Sequence, residues 1–180
     1  MANFIPRVTL ILGGAASGKS RFAEHLVERF GLPKTYIATA QAFDPEMERK
    51  IQQHIEDRGE GWATIEEPLD VPELIGTLDR GSATLLDCAS VWLSNALLAD
   101  HHLGDRSTAL LEAVGLSDGP LVIVSNEVGQ GVVPDTSLGR RFREAQGKLN
   151  QDLAASADLV VLVVAGLPLV LKGALPEGLP

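Results

Sequence analysis

The chain has 180 residues and a mass of 19.1 kDa, room for one domain with its own core and too little for two. Apolar residues at 45% and charged residues at 22% are globular proportions, and 24 acidic against 15 basic side chains leave a net charge of −9, which excludes a bulk electrostatic grip on nucleic acid. A single cysteine, Cys88, allows no internal disulfide and suits a reducing, cytoplasmic setting; Met1–Arg7 is too short for a leader, and the greasiest stretch, Leu159–Leu171, is broken by Gly166 and Pro168 short of the roughly 20 residues of a membrane span.

Val8–Leu12 reads as a short buried strand ending in glycines, and Lys19–Phe30 as a helix. Thr35–Thr39 is a second strand. From Pro45 to Arg58 the apolar residues Met47, Ile51 and Ile55 recur every four positions, which predicts a helix with one buried stripe. Ala63–Ile65 reads as a short strand and Val71–Leu78 as a short helix. Ala83–Asp87 is apolar and ends in a carboxylate, Val91–Leu98 and Ser107–Val114 read as helices, and Leu121–Ser125 is a fully buried strand. Ser137–Ser156 is a long helix with a basic face at Arg140, Arg141 and Arg143. Leu159–Val164 is a last buried strand, with Val170–Lys172 as a hairpin partner, and the tail 173–180 is expected to be loose. Strands alternating with helices predict one α/β domain over residues 1–180, a mostly parallel sheet with helices on both faces.

Gly13-Gly14-Ala15-Ala16-Ser17-Gly18-Lys19-Ser20 fits the phosphate-binding pattern G-x-x-x-x-G-K-[ST] between an expected strand and an expected helix, the context the motif requires. Glycines let successive amides face an anion, and the helix N-terminus adds its positive end. Lys19 is placed to reach the outer phosphates, and the Ser20 hydroxyl to ligate Mg²⁺. The expected fold is therefore of the P-loop NTPase (RecA-like) type. Asp87 closes its strand either as the second carboxylate of a metal site or as a turn-capping residue, and the upstream loop favours the metal. Asn126 and Glu127 also stand at a strand end, where open α/β sheets bind ligands, or form a polar turn before Gly129 and Gly131.

His54 falls at the margin of the apolar stripe of its helix. By itself it reads as a packed core histidine; beside cations and a bound nucleotide it is also a nucleophile for phosphorus. His25, within the first helix, and the pair His101-His102, in a polar connection, are read as non-catalytic, and the pair lacks further nearby ligands for a metal.

Taken together, these segments resemble the bifunctional adenosylcobinamide kinase / adenosylcobinamide-phosphate guanylyltransferase family of cobalamin assembly. The matching residues are Leu12–Arg21, Tyr36–Ala40, Asp44–Met47 with Arg49, Ile51, His54 and Arg58, then Trp62, Thr64 and Glu66-Glu67-Pro68. Farther on come Ser125–Gly129, Val133-Pro134, and Arg140, Phe142, Arg143, Gly147, Asn150, Gln151 and Leu153, so the likeness runs from Val8 to about Lys172. The loop alone is shared by a vast superfamily; its ordered combination with the histidine and Asn-Glu-Val-Gly segments is far more specific.

The resemblance implies two reactions, phosphorylation of the aminopropanol hydroxyl of adenosylcobinamide by ATP or GTP, and transfer of GMP from GTP to the resulting phosphate through a guanylyl-histidine matching His54. It implies nucleotide contacts at Gly13, Gly14, Ala15, Ala16, Ser17, Gly18, Lys19 and Ser20. Further contacts are implied at Ala38, Thr39, Ala40, Ile55, Glu56, Asp57, Arg58, Glu66 and Asp87, with Mg²⁺ on Ser20 and Asp87. A homotrimer is implied as well, and within one the basic face of Arg140 and Arg143 is our candidate to meet a neighbouring site. Two positions depart from the pattern: Ala16 stands where many relatives carry arginine, and Gln53 where some carry a second histidine. The rival readings are a plain small-molecule kinase with a structural His54, which forms no covalent nucleotide, and a nucleotide-dependent switch without turnover.

Overall fold

The apolar runs become seven strands of one sheet in the computed structural model of the protein, which describes residues 5–42 and 45–178 without the side chains of 46, 47, 50 and 57. The chain order is β1 (Val8–Gly13), α1 (Lys19–Arg29), β2 (Lys34–Ala38), α2 (Pro45–Arg58), β3 (Trp62–Glu66), α3 (Val71–Ile75) and β4 (Ala83–Asp87), and it continues with α4 (Ala89–Leu98), α5 (Leu103–Leu116), β5 (Leu121–Asn126), α6 (Ser137–Ser156), β6 (Leu159–Val164) and β7 (Leu167–Lys172). In space the strands run β3-β2-β4-β5-β1-β6-β7, all pairs parallel except the β6–β7 hairpin. That hairpin turns at Ala165 and Gly166, both with positive φ (51° and 79°), as a two-residue type I′ turn demands.

Both faces of the sheet are covered, which is why the strands read as continuous apolar runs rather than alternating ones. Successive strand residues point to opposite faces. Leu10, Leu86, Ile123 and Val160 join Trp92, Leu110 and Leu149 of α4, α5 and α6 in one core. Ile11, Leu85, Val122 and Val161 join Phe22, Leu26 and Val27 of α1 in the other.

The elements follow the sequence reading, with differences where a cap is chemically unusual. Helix α4 starts two residues early because Cys88 caps it, its Sγ accepting from the Val91 amide at 3.4 Å. Helix α5 starts four residues early because the His102 imidazole accepts from the Asp105 amide at 3.4 Å. Neither cysteine nor histidine is a familiar cap, so the pattern of apolar residues missed both. The stripe expected to be buried on α2 is not: Ile51 is half-buried and Ile55 is 40% exposed, while Met47 lies outside the described side chains. Of the described α2 side chains only Arg58 is buried, so the helix is held at its C-terminal end. The tail, expected to be loose, returns to α1 within the described residues. Leu175 packs on the α1 core, Pro176 is buried, and Arg29 donates to the Glu177 carbonyl at 3.1 Å. Among the described residues no helix is long and apolar enough to cross a membrane.

Candidate nucleotide site

Every parallel strand ends at the same edge of the sheet, and the candidate residues collect there. Strand β1 delivers Gly13 to the loop, β2 delivers Ala38, β4 Asp87 and β5 Asn126. The loop needs its small residues. A Cβ at Gly13 would strike the Ser17 side chain and stand 2.8 Å from the Val163 carbonyl. Gly18 has φ 92°, and a Cβ there would lie 3.2 Å from Gly166 Cα. The Gly166 amide donates to the Ser17 carbonyl at 2.8 Å, so the β6–β7 turn buttresses the loop from outside its own motif. Gly14, Ala15 and Ala16 are exposed, and the buried Ser17 hydroxyl has no hydrogen-bond partner among the described residues. Helix α1 carries no acidic residue in its first turn, leaving its positive end uncompensated for an anion. Lys19 curls over the cradle and donates to the Gly14 carbonyl at 3.1 Å.

Asp87 lies on the α1 side of the sheet, in alternation with Leu85 of that core. The Tyr36 hydroxyl donates to its Oδ2 at 3.0 Å, and among the described residues the other carboxylate oxygen accepts no hydrogen bond. Burial first, and the Asp87 charge second, push the Tyr36 phenol far above its ordinary range, so it stays a donor at any working pH. Thr39 is fully buried and clamps the next peptide from both sides: its hydroxyl donates to the Cys88 carbonyl at 2.9 Å and accepts from the Cys88 amide at 2.9 Å. Burial, then the Asp87 charge, raise the Cys88 thiol to about 11. The hard oxygen donors Ser20 and Asp87, the latter with a carboxylate oxygen to spare, suit Mg²⁺.

Arg58 is packed into the fold at the end of α2. It is 7% exposed, its guanidinium lies 3.6 Å from the Tyr36 ring centroid and 5.8 Å from that of Trp62, and Nη2 donates to Thr64 Oγ1 at 2.9 Å. The rings of Tyr36 and Trp62 meet edge to face at 6.0 Å. This arginine ties α2 to the Asp87 partner by cation–π contact. His54, one turn earlier, is exposed, as are Ile55, Glu56 and Glu66, while the Asp57 side chain and Asp44 lie outside the described set. A packed core histidine is thus not what His54 is.

Glu127 spends its carboxylate on its own turn, accepting from the Gly129 amide at 2.6 Å. Arg140 and Arg143, expected to offer a basic face, clasp the segment before α6. Arg140 donates to the carbonyls of Pro134 and Asp135 at 2.9 and 2.7 Å, and Arg143 to that of Gly129 at 2.7 Å. Tyr36, Trp62 and Ser90 were not given roles from sequence; a lone tyrosine two residues before a strand end carries no local signal of what it will touch across the sheet.

Residues 9–171 match the family model described as cobinamide kinase / cobinamide phosphate guanyltransferase. The chain is 47% identical over 167 residues to the bifunctional adenosylcobalamin biosynthesis protein CobP of Pseudomonas aeruginosa, covering 91% of this chain and 96% of that one. It is 37% identical over 181 residues to the bifunctional adenosylcobalamin biosynthesis protein CobU of Escherichia coli, covering 91% and 98%. Among solved structures it resembles the P4 protein from bacteriophage phi6 in complex with ADP, with a TM-score of 0.50 at 18% identity, over 97% of this chain and 58% of that one. It also resembles an ATPase of a bacterial type III secretion system, with a TM-score of 0.53 at 10% identity, over 91% of this chain and 56% of that one. These structural likenesses concern the P-loop fold alone.

Proposed function

The chain belongs to the cobinamide kinase / cobinamide phosphate guanyltransferase family, and from that premise we propose that it phosphorylates the aminopropanol hydroxyl of adenosylcobinamide and then guanylylates the product. The observation that carries this reading is the intact phosphate loop at the end of β1, with Asp87 at the end of β4 on the same face of the sheet. In the first reaction the loop amides and Lys19 hold the phosphates of ATP or GTP. Ser20 and Asp87 would hold Mg²⁺, which when bound neutralises phosphate charge.

In the second reaction a nitrogen of the His54 imidazole attacks the α-phosphorus of GTP. The P–N bond forms as the Pα–O bond to the β-phosphate breaks, and pyrophosphate departs with the electron pair. A phosphate oxygen of adenosylcobinamide phosphate then attacks the same phosphorus. The P–N bond breaks, the imidazole is restored, and adenosylcobinamide-GDP forms. One difficult displacement becomes two easier ones. The exposure of His54 supports this role, because a nucleophile that must meet GTP and then a large corrinoid cannot be packed away. Arg58, a nucleotide contact on the family resemblance, also anchors the helix end against Tyr36 and Thr64.

A homotrimeric, cytoplasmic enzyme completes the reading. Support for assembly comes from exposed apolar side chains on the edge strand β7, Leu167, Leu169 and Leu171, and from Val132 and Val133 before α6. Ile55 beside His54 is a further apolar residue left open. Incubation with adenosylcobinamide and GTP, followed by mass analysis of the corrinoid, tests the function: sequential appearance of the phosphate and the GDP derivative is expected. Accumulation of the phosphate alone favours the plain kinase, and no change in the corrinoid refutes both. Full activity of a monomer at high dilution refutes the assembly.

A further inference from the structure

Strand β5 ends between the two groups that grip the nucleotide. It is flanked by β1 and β4, with Asn126 in register with Gly13 of the loop and Val124 in register with Asp87. Alternation places the Asn126 side chain on the α1 face with Val122 and Val124, the face that Gly13 shares with Ile11 and Asp87 with Leu85. Asn126 therefore stands beside the phosphate loop and one pleat beyond the carboxylate.

Its backbone is pinned from the opposite face. The Asn126 amide donates to Ser90 Oγ at 2.7 Å, and its carbonyl accepts from Asn150 Nδ2 at 3.0 Å. Ser90 and Asn150 meet at Ser125: the two serine hydroxyls lie 3.2 Å apart, and Ser125 Oγ donates to Asn150 Oδ1 at 2.6 Å. Gln146 Nε2 donates both to Ser125 Oγ and to Asn150 Oδ1, each at 2.9 Å. All four of these residues are buried. The next amide, that of Glu127, donates to the Gly13 carbonyl at 3.0 Å. A neutral network sunk in an otherwise apolar core fixes geometry at the expense of packing, and what it fixes here is the end of β5 relative to α4, α6 and the loop.

Two side-chain amide oxygens here lack a partner among the described residues, Gln146 Oε1 within the network and Asn126 Oδ1, and only the second stands on the α1 face beside the loop. The side-chain amide oxygen of Asn126 is buried and has no hydrogen-bond partner among the described residues. Buried polar atoms are normally paired, and a carbonyl oxygen can only accept, so the partner that completes it is a donor. Ionised phosphate oxygens offer no proton; a hydroxyl or a metal-bound water does.

We propose that Asn126 is a catalytic residue whose amide oxygen accepts a hydrogen bond from an O–H group beside the outer phosphates of the bound nucleotide, either the attacking hydroxyl of the phosphoryl acceptor or a water on the metal. In the first case the acceptor oxygen bonds to the γ-phosphorus while the bond from that phosphorus to the β,γ-bridging oxygen breaks, the nucleoside diphosphate leaves with the electron pair, and the proton passes to solvent. The neutral amide orients the hydroxyl and takes no proton. This arm rests on the kinase reading above, whereas the metal-water arm rests only on the loop and Asp87.

The test compares wild type with Asn126→Ala and Asn126→Thr, the latter keeping an acceptor oxygen. The side chain lies outside the buried network, so both variants are expected to melt within a few degrees of wild type. Two quantities are read: affinity for a fluorescent GTP analogue with Mg²⁺ and with EDTA, and kcat and KM for phosphorylation of adenosylcobinamide. If the donor is the acceptor hydroxyl, Asn126→Ala lowers kcat about 10- to 100-fold with nucleotide affinity unchanged. If it is a metal-bound water, the Mg²⁺-dependent gain in affinity falls about tenfold while the EDTA value holds. In either case Asn126→Thr recovers part of the loss. A folded Asn126→Ala protein with wild-type values in both measurements overturns the proposal. A wild-type protein that binds the Mg²⁺–nucleotide complex but leaves adenosylcobinamide untouched overturns the kinase reading instead, and the affinity measurements alone then decide the role of Asn126.

Discussion

The phosphate loop and the helix that carries His54 are built in opposite ways. The loop is eight consecutive residues whose binding groups are largely backbone amides, braced on one side by β1 and on the other by the Gly166 turn. Helix α2 offers a single side chain, His54, on a mostly exposed surface, and its one buried described side chain is Arg58 at the far end. The first region is preorganised by local chain geometry, while the one buried described side chain of the second is a cation packed against two rings. On the proposed mechanism a bifunctional enzyme gains from this division: tight, fixed phosphate binding would serve both reactions, and an accessible nucleophile would meet two different partners in turn.

Substitutions separate the two regions. Lys19→Ala is expected to have the largest effect, lowering phosphoryl and guanylyl transfer together by about 10²–10³-fold in kcat, because both need the outer phosphates neutralised. Loss of one activity only, in a steady-state assay of each, would break the claim that the loop is shared. His54→Ala is expected to remove guanylyl transfer while leaving phosphorylation of adenosylcobinamide within a few-fold of wild type. A parallel loss of both would make α2 part of the loop's machinery.

Arg58→Met tests the anchor. It removes a buried cation from between Tyr36 and Trp62 and a hydrogen bond to Thr64, and about 2 kcal/mol of stability should go with it, read as a lowered denaturant midpoint. Guanylyl transfer should fall more than phosphorylation, because the helix end is what loosens. Tyr36→Phe is milder: it keeps the ring contacts and deletes only the donor to Asp87, so the Mg²⁺ concentration for half-maximal nucleotide binding should rise a few-fold.

Alkaline pH gives the smallest effect. The Cys88 value is raised from 9.0 to about 11 in the fold, and that of Tyr36 is raised as well, so both groups favour the folded chain only while protonated. The Cys88 contribution is full below pH 9 and is lost as pH rises through about 11, while that of Tyr36 is lost in full only well beyond it, so a melting series from pH 9 to about 11 should record a falling Tm.

What could be read from sequence follows the same division. The loop was legible because glycines, lysine and serine at fixed spacing carry their geometry locally, and the buried strands were legible because parallel strands covered on both faces are simply apolar. The buried stripe on α2 was misread, since periodicity reports amphipathicity and not whether a partner surface exists; Ile55 remains open. Arg58 entered the sequence reading only through the family resemblance, as a nucleotide contact, and its structural role was not legible. Its contacts with Tyr36 and Trp62 depend on β2 and β3 pairing side by side, a long-range fact absent from the local pattern. The Ser90–Ser125–Gln146–Asn150 network was invisible for the same reason, its members being scattered over α4, β5 and α6.

The most direct test of the central claim is the intact mass of the protein after incubation with Mg²⁺ and GTP, beside a His54→Ala control shown to bind GTP equally. A GMP-sized, acid-labile adduct on wild type that is missing from the control is the predicted result. Wild-type protein that binds GTP and carries no adduct would contradict it, leaving His54 as a surface residue and the loop as the site of a plain kinase.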